Sequence, residues 1–416
     1  MRTSLVTLAL AACATPEPPR GHAPPIADVP ATVGAVEPSE WLVAHLKSPV
    51  APQGTPPEDW STLEQSLEPA ACGACHPQQL ADWSDSWHAK GMGPGVIGQY
   101  LDWDGTNDAM VAKCNRCHAP LSEQHMRIEN DDGDDWIDNP AFVPGMREQG
   151  LTCAGCHVRQ HQRFGPPPRT AQTIDGPVGP HDGFTVRDDF RDPAFCRSCH
   201  DFTAKPASEA LEGKKLQETT EEWRRTTHAA EGQTCQTCHM PDGRHTWKGI
   251  HTPELVRDAV EVTATLTDAG TFFTPVQASI TLTNVGAAHR MPTYTTPEIK
   301  LFIEQIDESG APIEGTRQEG SVARRITPNL KKELWDTRLL PGESYALPYR
   351  HRRVSGATAL VTRVEVWPDE AYRRFYEIKL RAPEKIPKGA DALRQAMQTA
   401  TESRYTLWEQ TIPLPE

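Results

Sequence analysis

One pentapeptide, written five times, limits what this chain can become more than any other feature of it. The pattern C-x-x-C-H occurs as CGACH ending at His76, CNRCH at His118, CAGCH at His157, CRSCH at His200 and CQTCH at His239. It takes up ten of the eleven cysteines: Cys72, Cys75, Cys114, Cys117, Cys153, Cys156, Cys196, Cys199, Cys235 and Cys238. Two thiols three residues apart on one helical turn can add to the two vinyl groups of a haem, and the next residue then lies under the iron, where an imidazole can bind it. A zinc knuckle has no use for a histidine beside every pair, and a thioredoxin-like site needs one motif inside a βαβ unit. The spacing therefore predicts five haem c groups, with His76, His118, His157, His200 and His239 as proximal iron ligands. No motif cysteine is left for a structural disulfide.

First cysteines of successive motifs are 42, 39, 43 and 39 residues apart. So little chain per cofactor cannot wall five separate pockets, so the haems are expected to share walls and to replace much of the usual core. A chain of 416 residues has room for roughly two or three domains. Residues 65–254 are read as a mainly α and irregular multihaem domain. From residue 255 the pattern turns to alternation in AVEVTATL, VQASITLTNV, EIKLFIEQI and TALVTRVEVW, with turn signals between them. Residues 255–416 are thus read as an all-β, immunoglobulin-like sandwich, with a late helix around Asp391 to Thr401 and YTLWEQTIPL as a closing strand.

The N-terminus, MRTSLVTLALAAC, resembles a bacterial lipoprotein signal over residues 1–13, with Cys13 as the lipidated residue. Residues 14–64 read as a proline-rich tether, since eleven prolines fall between 15 and 58, although Trp41 to Leu46 can also dock on the domain. No apolar run reaches the length of a membrane helix. The expected location is the cell envelope, as an exported outer-membrane lipoprotein facing the periplasm or the cell surface. Residues 1–254 carry 21 Lys and Arg against 35 Asp and Glu, so the whole net charge of −14 lies there. Such a surface argues against nucleic acid and favours a basic protein partner.

Two stretches, PQQLADWSDSWHAK from Pro77 and KLQETTEEWRRTTHAA from Lys215, read as helices sharing W-x(4)-H-A. Each sets a tryptophan about one turn before a histidine on one face, as a haem wall and an axial ligand would need, which nominates His88 and His228. The alternative is that both merely pack. A Pro/Gly loop over 164–183 brings in His181. The acidic run from Glu129 to Asp138 lacks the spacing of a calcium loop and reads as solvated.

Taken together, these pieces resemble bacterial multihaem c-type cytochromes of the group around the tetrahaem acceptor of hydroxylamine oxidoreductase. Besides the haem motifs, the resemblance rests on WSDSWHA at Trp83 to Ala89, CHAPLSEQ from Cys117, CHMPDGRH from Cys238 and NVGAAHRMPT from Asn284. It implies that His88 and His228 are distal ligands and that His289 reaches into the haem domain from the β-domain. The chain departs from the family at Ala288-His289 and at Pro292-Thr293-Tyr294, where Gly-His and Pro-Thr-Gly are usual. As a turn residue, His289 would merely hold a hairpin.

Eleven histidines lie outside the motifs, more than five irons need. The distal set chosen is His88, His181, His228, His245 and His289, with His251 competing against His245, and His161 and His125 in reserve. Met126 and Met240 are minor options. With every iron six-coordinate the chain is expected to carry electrons between redox partner proteins, such as other multihaem cytochromes, and to be anchored to the membrane by lipid. A rival reading is an oxidoreductase acting on a small nitrogen or sulfur compound at one five-coordinate haem, best placed at Cys114 or Cys153, although no C-x-x-C-K marks it. A third is a filament subunit exchanging a tail histidine, His22 or His45.

Made in a host that matures c-type cytochromes, the protein is expected to be red, with a sharp reduced α-band and about five haems per chain by the pyridine assay. Replacing Cys235 and Cys238 with serine should remove one. A colourless product, or a haem count unmoved by that double substitution, overturns the reading.

Overall fold

The structure is a computed structural model and describes residues 30–168, 181, 183–202, 211, 214–271 and 273–415. Cys13 and His22 lie outside the described residues. Four of the five pentapeptides are helical throughout, in helices Asp108–His118, Cys153–His157, Ala194–His200 and Cys235–His239, while helix Pro69–Gly73 carries Cys72 and ends before Cys75. One helical turn brings residues i, i+3 and i+4 to one face, which is what two thioethers and a ligand require. Between these helices the described chain is mostly turns and strand pairs of two to four residues. Its buried apolar side chains form only small clusters, one around Leu121, Met146 and Val158 and another around Met92, Tyr100 and Val111.

Both stretches read as continuous helices are interrupted. Helix α1, Pro77–Asp85, stops three residues before His88, which lies in a turn. Helix α2, Thr219–Trp223, is separated from the short helix Thr227–Ala230 that bears His228. In both places a hydroxyl residue, Ser86 or Thr226, takes an extended or cap conformation and restarts the turn.

Of the stretch read as a tether, residues 30–64 lie against the cysteine-bearing part. Helix Glu40–His45 buries Leu42 and His45, and Val50 exchanges backbone hydrogen bonds with Pro120 and Ser122. Docking of Trp41 to Leu46 is therefore what happens: Trp41 stacks on His45 at 4.2 Å, and Arg187 lies over its ring.

Among the described residues of the rest of the chain there are eight strands: β1 Val260–Ala269, β2 Pro275–Asn284, β3 Glu298–Ile306, β4 Gln318–Ile326, β5 Glu333–Asp336, β6 Ser344–Arg352, β7 Ala359–Trp367 and β8 Tyr405–Pro413. They form two antiparallel sheets, ordered β5-β4-β3-β7-β8 and β6-β2-β1. Alternate residues of β2, such as Ile280 and Leu282, meet Leu301, Ile303, Val364 and Val366 from the other sheet in one core. The strands missing from the sequence reading are β4, β5 and β6. Gln318–Ile326 is broken by charge and glycine, and β6 contains Pro348, which an edge strand tolerates.

Two helices follow β7: α3, Glu370–Leu380, which the sequence reading did not foresee, and α4, Ala390–Glu402, close to the expected span. They lock the sheets to the cysteine-bearing part. The Asp102 carboxylate accepts from the Lys388 and Gly389 amides, and a Cβ on Gly389 would fall 1.8 Å from the Gly98 carbonyl, so only glycine permits this approach.

Leu301 is fully buried in the two-sheet core. Replacing it with alanine is expected to cost about 2–5 kcal/mol, read as an earlier loss of sheet signal in denaturant. A cost under about 1 kcal/mol would mean that the two sheets do not share a close-packed core.

Candidate haem-binding sites

Three pairs of histidines face one another across a gap that fits an iron atom. The rings of His200 and His88 stand 6.3 Å apart, those of His157 and His245 6.1 Å, and those of His239 and His289 6.3 Å. A metal to imidazole bond is about 2.0–2.1 Å, and a ring nitrogen lies roughly 1.1 Å from its ring centre, so two imidazoles on opposite sides of one iron have centres roughly 6.2 Å apart. In each pair one ring belongs to a C-x-x-C-H motif and the other comes from a distant segment. His76 and His118 belong to no such pair among the described residues.

Hydrogen bonding sorts the histidines further. The Nδ1–H of His118 donates to the Gly91 carbonyl, that of His157 to Phe164 at 2.8 Å, and that of His239 to Lys248 at 2.7 Å. His181, His245 and His289 do the same, to Gly183 at 2.8 Å, Gly243 at 3.0 Å and Arg290 at 2.9 Å. A bond at Nδ1 sets the tautomer and leaves the Nε2 lone pair for a metal. Four others spend Nε2 on the protein: His45 on Cys156, His125 on Ala119, His161 on Gly54, and His251 on the Asp369 carboxylate at 2.9 Å. His251 is also stacked 3.9 Å from Trp87, whereas His245 keeps its Nε2 free of a protein partner among the described residues. His351 shares the Nδ1 pattern but sits on strand β6, away from every motif.

Burial favours the neutral form, the one that binds metal, in seven of the motif and candidate histidines. It pushes His88 down to about 3 and His157 and His200 to about 4, and lowers His118, His239, His245 and His289 in the same sense.

His88 and His228 are held by a unit that occurs twice. Trp83 Nε1 donates to the Leu151 carbonyl at 2.8 Å while the Leu151 amide donates to the His88 carbonyl at 3.0 Å. Trp223 and His228 clasp Gln233 in the same two ways, at 2.8 and 2.9 Å. In both, the Ser86 or Thr226 hydroxyl donates to the tryptophan carbonyl and receives the amide of the alanine after the histidine, Ala89 or Ala229. Both units leave the histidine Nδ1 buried without a partner among the described residues. The signal that would have exposed this repeat is G-x-T-C, shared by Gly150 to Cys153 and Gly232 to Cys235, with both glycines at positive φ.

The other three candidates are tied by carboxylates at or next to the histidine amide. Glu64 accepts from the His181 amide at 2.9 Å, Asp82 from the His245 amide at 3.0 Å, and Glu222 from the Arg290 amide at 3.1 Å. Asp82 also takes both arms of Arg244, which holds its carboxyl down at about 2. Sequence reading missed all three acids, because nothing local marks them.

Thiols of different motifs meet. Cys72 is held down to about 7 by a hydrogen bond from Cys153, Cys199 to about 7 by one from Cys117, and Cys235 is lowered by one from Cys196. The first motif thus adjoins the third, the second the fourth, and the fourth the fifth, the wall-sharing that the short spacing requires. Buried neutral imidazoles, orphaned Nδ1 atoms and paired free thiols together form a donor set that fits haem c. The acidic run forms a hairpin, Arg127–Glu129 with Trp136–Asp138, and no group of three or more possible metal ligands occurs among the described residues outside this chemistry.

The chain matches no family model. Over 190 residues, 41% of this chain, it is 27% identical to the cytochrome c nitrite reductase subunit NrfA of Nitratidesulfovibrio vulgaris, and the match spans 34% of that protein, about a third of its length. In fold it is similar to the penta-heme cytochrome c552 of Thermochromatium tepidum, with a TM-score of 0.57 and 18% identity over 85% of this chain and 100% of that one. Helices followed by β-sheets, haem-fitting histidine pairs and these two comparisons agree on one conclusion: the chain is similar to multihaem c-type cytochromes.

Proposed function

We propose that the protein is an electron carrier of the bacterial cell envelope, with five haem c groups and a histidine on both faces of each iron. The observation that carries this reading is the set of three histidine gaps of 6.1 to 6.3 Å. By these gaps the Cys153 haem takes His157 and His245, the Cys196 haem His200 and His88, and the Cys235 haem His239 and His289. His181 is assigned to the Cys72 haem: Glu64, which receives its amide, bonds through its carbonyl to Arg163, whose charge acts on Cys72. His228 falls to the Cys114 haem by elimination.

Haem iron supplies one-electron transfer, and paired histidines hold its potential low. The protein's part is to bury the imidazoles, to orient His118, His157, His181, His239, His245 and His289 through Nδ1, and to crowd the cofactors. Thiol contacts join the first motif to the third and the second and fifth to the fourth, and the electrostatic interaction of Cys156 with Cys196 and Cys199 links the two groups, so the order runs first, third, fourth and fifth motif, with the second branching from the fourth. Cys75 and Cys238 are exposed, which makes the two ends of that order points of exchange with partners. The excess of acid over residues 1–254 fits a basic partner. The immunoglobulin-like reading of the β-part gives it the task of bringing His289 to the last haem. Lipidation at Cys13 would tether the assembly to the outer membrane.

A second reading has one observation in its favour. His118 faces no other ring, and the 27% identity to a nitrite reductase subunit covers 190 residues, so an open iron at Cys114 would make the chain an oxidoreductase of a small nitrogen or sulfur compound. The Cys153 site, the other place named for such an iron, has His245 opposite His157. The filament reading loses support, because His45 is buried with its Nε2 bonded to Cys156.

Low-temperature electron paramagnetic resonance of the oxidised full chain should give only low-spin signals, rhombic for the His239–His289 pair at 13° and more axial for the His200–His88 pair at 64°. His88→Ala and His245→Ala should each turn one haem high-spin. A high-spin component worth a whole haem in the unaltered protein would favour the oxidoreductase, and no change in either variant would sink the ligand set.

A further inference from the structure

We propose that Glu222 is a positioning residue for His289: its buried carboxylate holds the backbone that carries this ligand and supplies the negative charge beside the Cys235 haem. The inference rests on the reading of His289 as an axial ligand.

Glu222 sits on helix α2 of the cysteine-bearing part and is fully buried, yet every partner it takes belongs to the β-part. Its Oε2 accepts from the Arg290 amide at 3.1 Å and from the Thr293 hydroxyl at 2.5 Å. Its Oε1 accepts from Arg338 Nη1 at 3.0 Å, and the same nitrogen donates to the Thr293 carbonyl. One carboxylate therefore grips the segment just after His289 at two points. Asn284 grips the same loop from the other side by donating to the His289 carbonyl at 3.0 Å. The His289 ring, so held, lies 13° from parallel to that of His239.

The charges in this cluster balance. Arg338 also forms a two-point bond with Asp336, and Arg290 approaches Glu222 at 4.0 Å, so two buried guanidinium groups face two carboxylates. A carboxylate with only a structural task could be replaced by its amide with no effect beyond stability. One that serves the haem could not, because neutralising Glu222 leaves an uncompensated positive charge near the iron, and positive charge favours the ferrous state. Thr293 extends the grip along the chain, since its hydroxyl meets Thr219, which accepts from the Gln217 side-chain amide.

The test uses the full-length, haem-loaded protein and reads spin state and the potential of each haem. His289→Ala must turn one haem high-spin; if it does not, the ligand reading itself has failed and the clamp falls with it. Given that change, Glu222→Gln is expected to keep every haem bound and low-spin, to raise the potential of that same haem and to alter its g values. Glu222→Asp, which keeps the charge, should restore the potential. Thr293→Val, which removes one bond and no charge, should perturb the g values with the potential almost unmoved, and it remains readable if the Glu222 variants fold poorly. Variants that only melt earlier, with g values and potentials unchanged, would overturn the proposal.

Discussion

An imidazole kept dry, neutral and without a protein partner at Nε2 is the condition around which the rest of this chain is arranged. Taking such a ring out of water costs free energy, and ligand bonds to iron, made only in the folded state, would add directly to the stability of that state. The same condition explains why the cysteine-bearing part has two small apolar clusters where a domain of its length ordinarily has one large one.

Two devices deliver histidines to their places, and they differ in strength. Where the histidine follows a helix, as at His88 and His228, a tryptophan indole and a serine or threonine hydroxyl suffice, since a cap of that kind is worth about 1 kcal/mol. Where it lies in a loop, a carboxylate from elsewhere in the chain takes a backbone amide, and charged acceptors bind more strongly than neutral ones. The deepest of these, Glu222, sits among arginines whose partners cannot be removed cheaply: breaking a buried ion pair costs about 3–5 kcal/mol. The β-part thus joins the other through a ligand-bearing loop, a buried charge cluster and the Gly98–Gly389 contact, which leaves little freedom between them.

Legibility followed the range of the interaction. Motif cysteines and their histidines are legible because one helical turn is enough to define them. Strands β1, β2, β3 and β7 were legible from alternation or from unbroken apolar runs, whereas β4, β5 and β6 were not, because charge, glycine and Pro348 blur the pattern on strands whose pairing supplies what propensity lacks. The helices of His88 and His228 were read too long for the opposite reason: a polar stretch with good periodicity continues on paper, while the Ser86 and Thr226 hydroxyls end it in space.

By itself the sequence determined five C-x-x-C-H motifs, each with two thiols and an imidazole on one helical turn, because that pattern depends on residues within five positions of one another. Only tertiary structure decided which of the remaining histidines keeps its Nε2 free of a protein partner. His245 and His251 are six residues apart and chemically identical, yet one bonds through Nδ1 and faces His157, while the other gives its Nε2 to Asp369. Gly243 is two residues from His245, but the groups that set the two apart, His157 and Asp369, lie more than eighty residues away in the chain, and no local pattern encodes them.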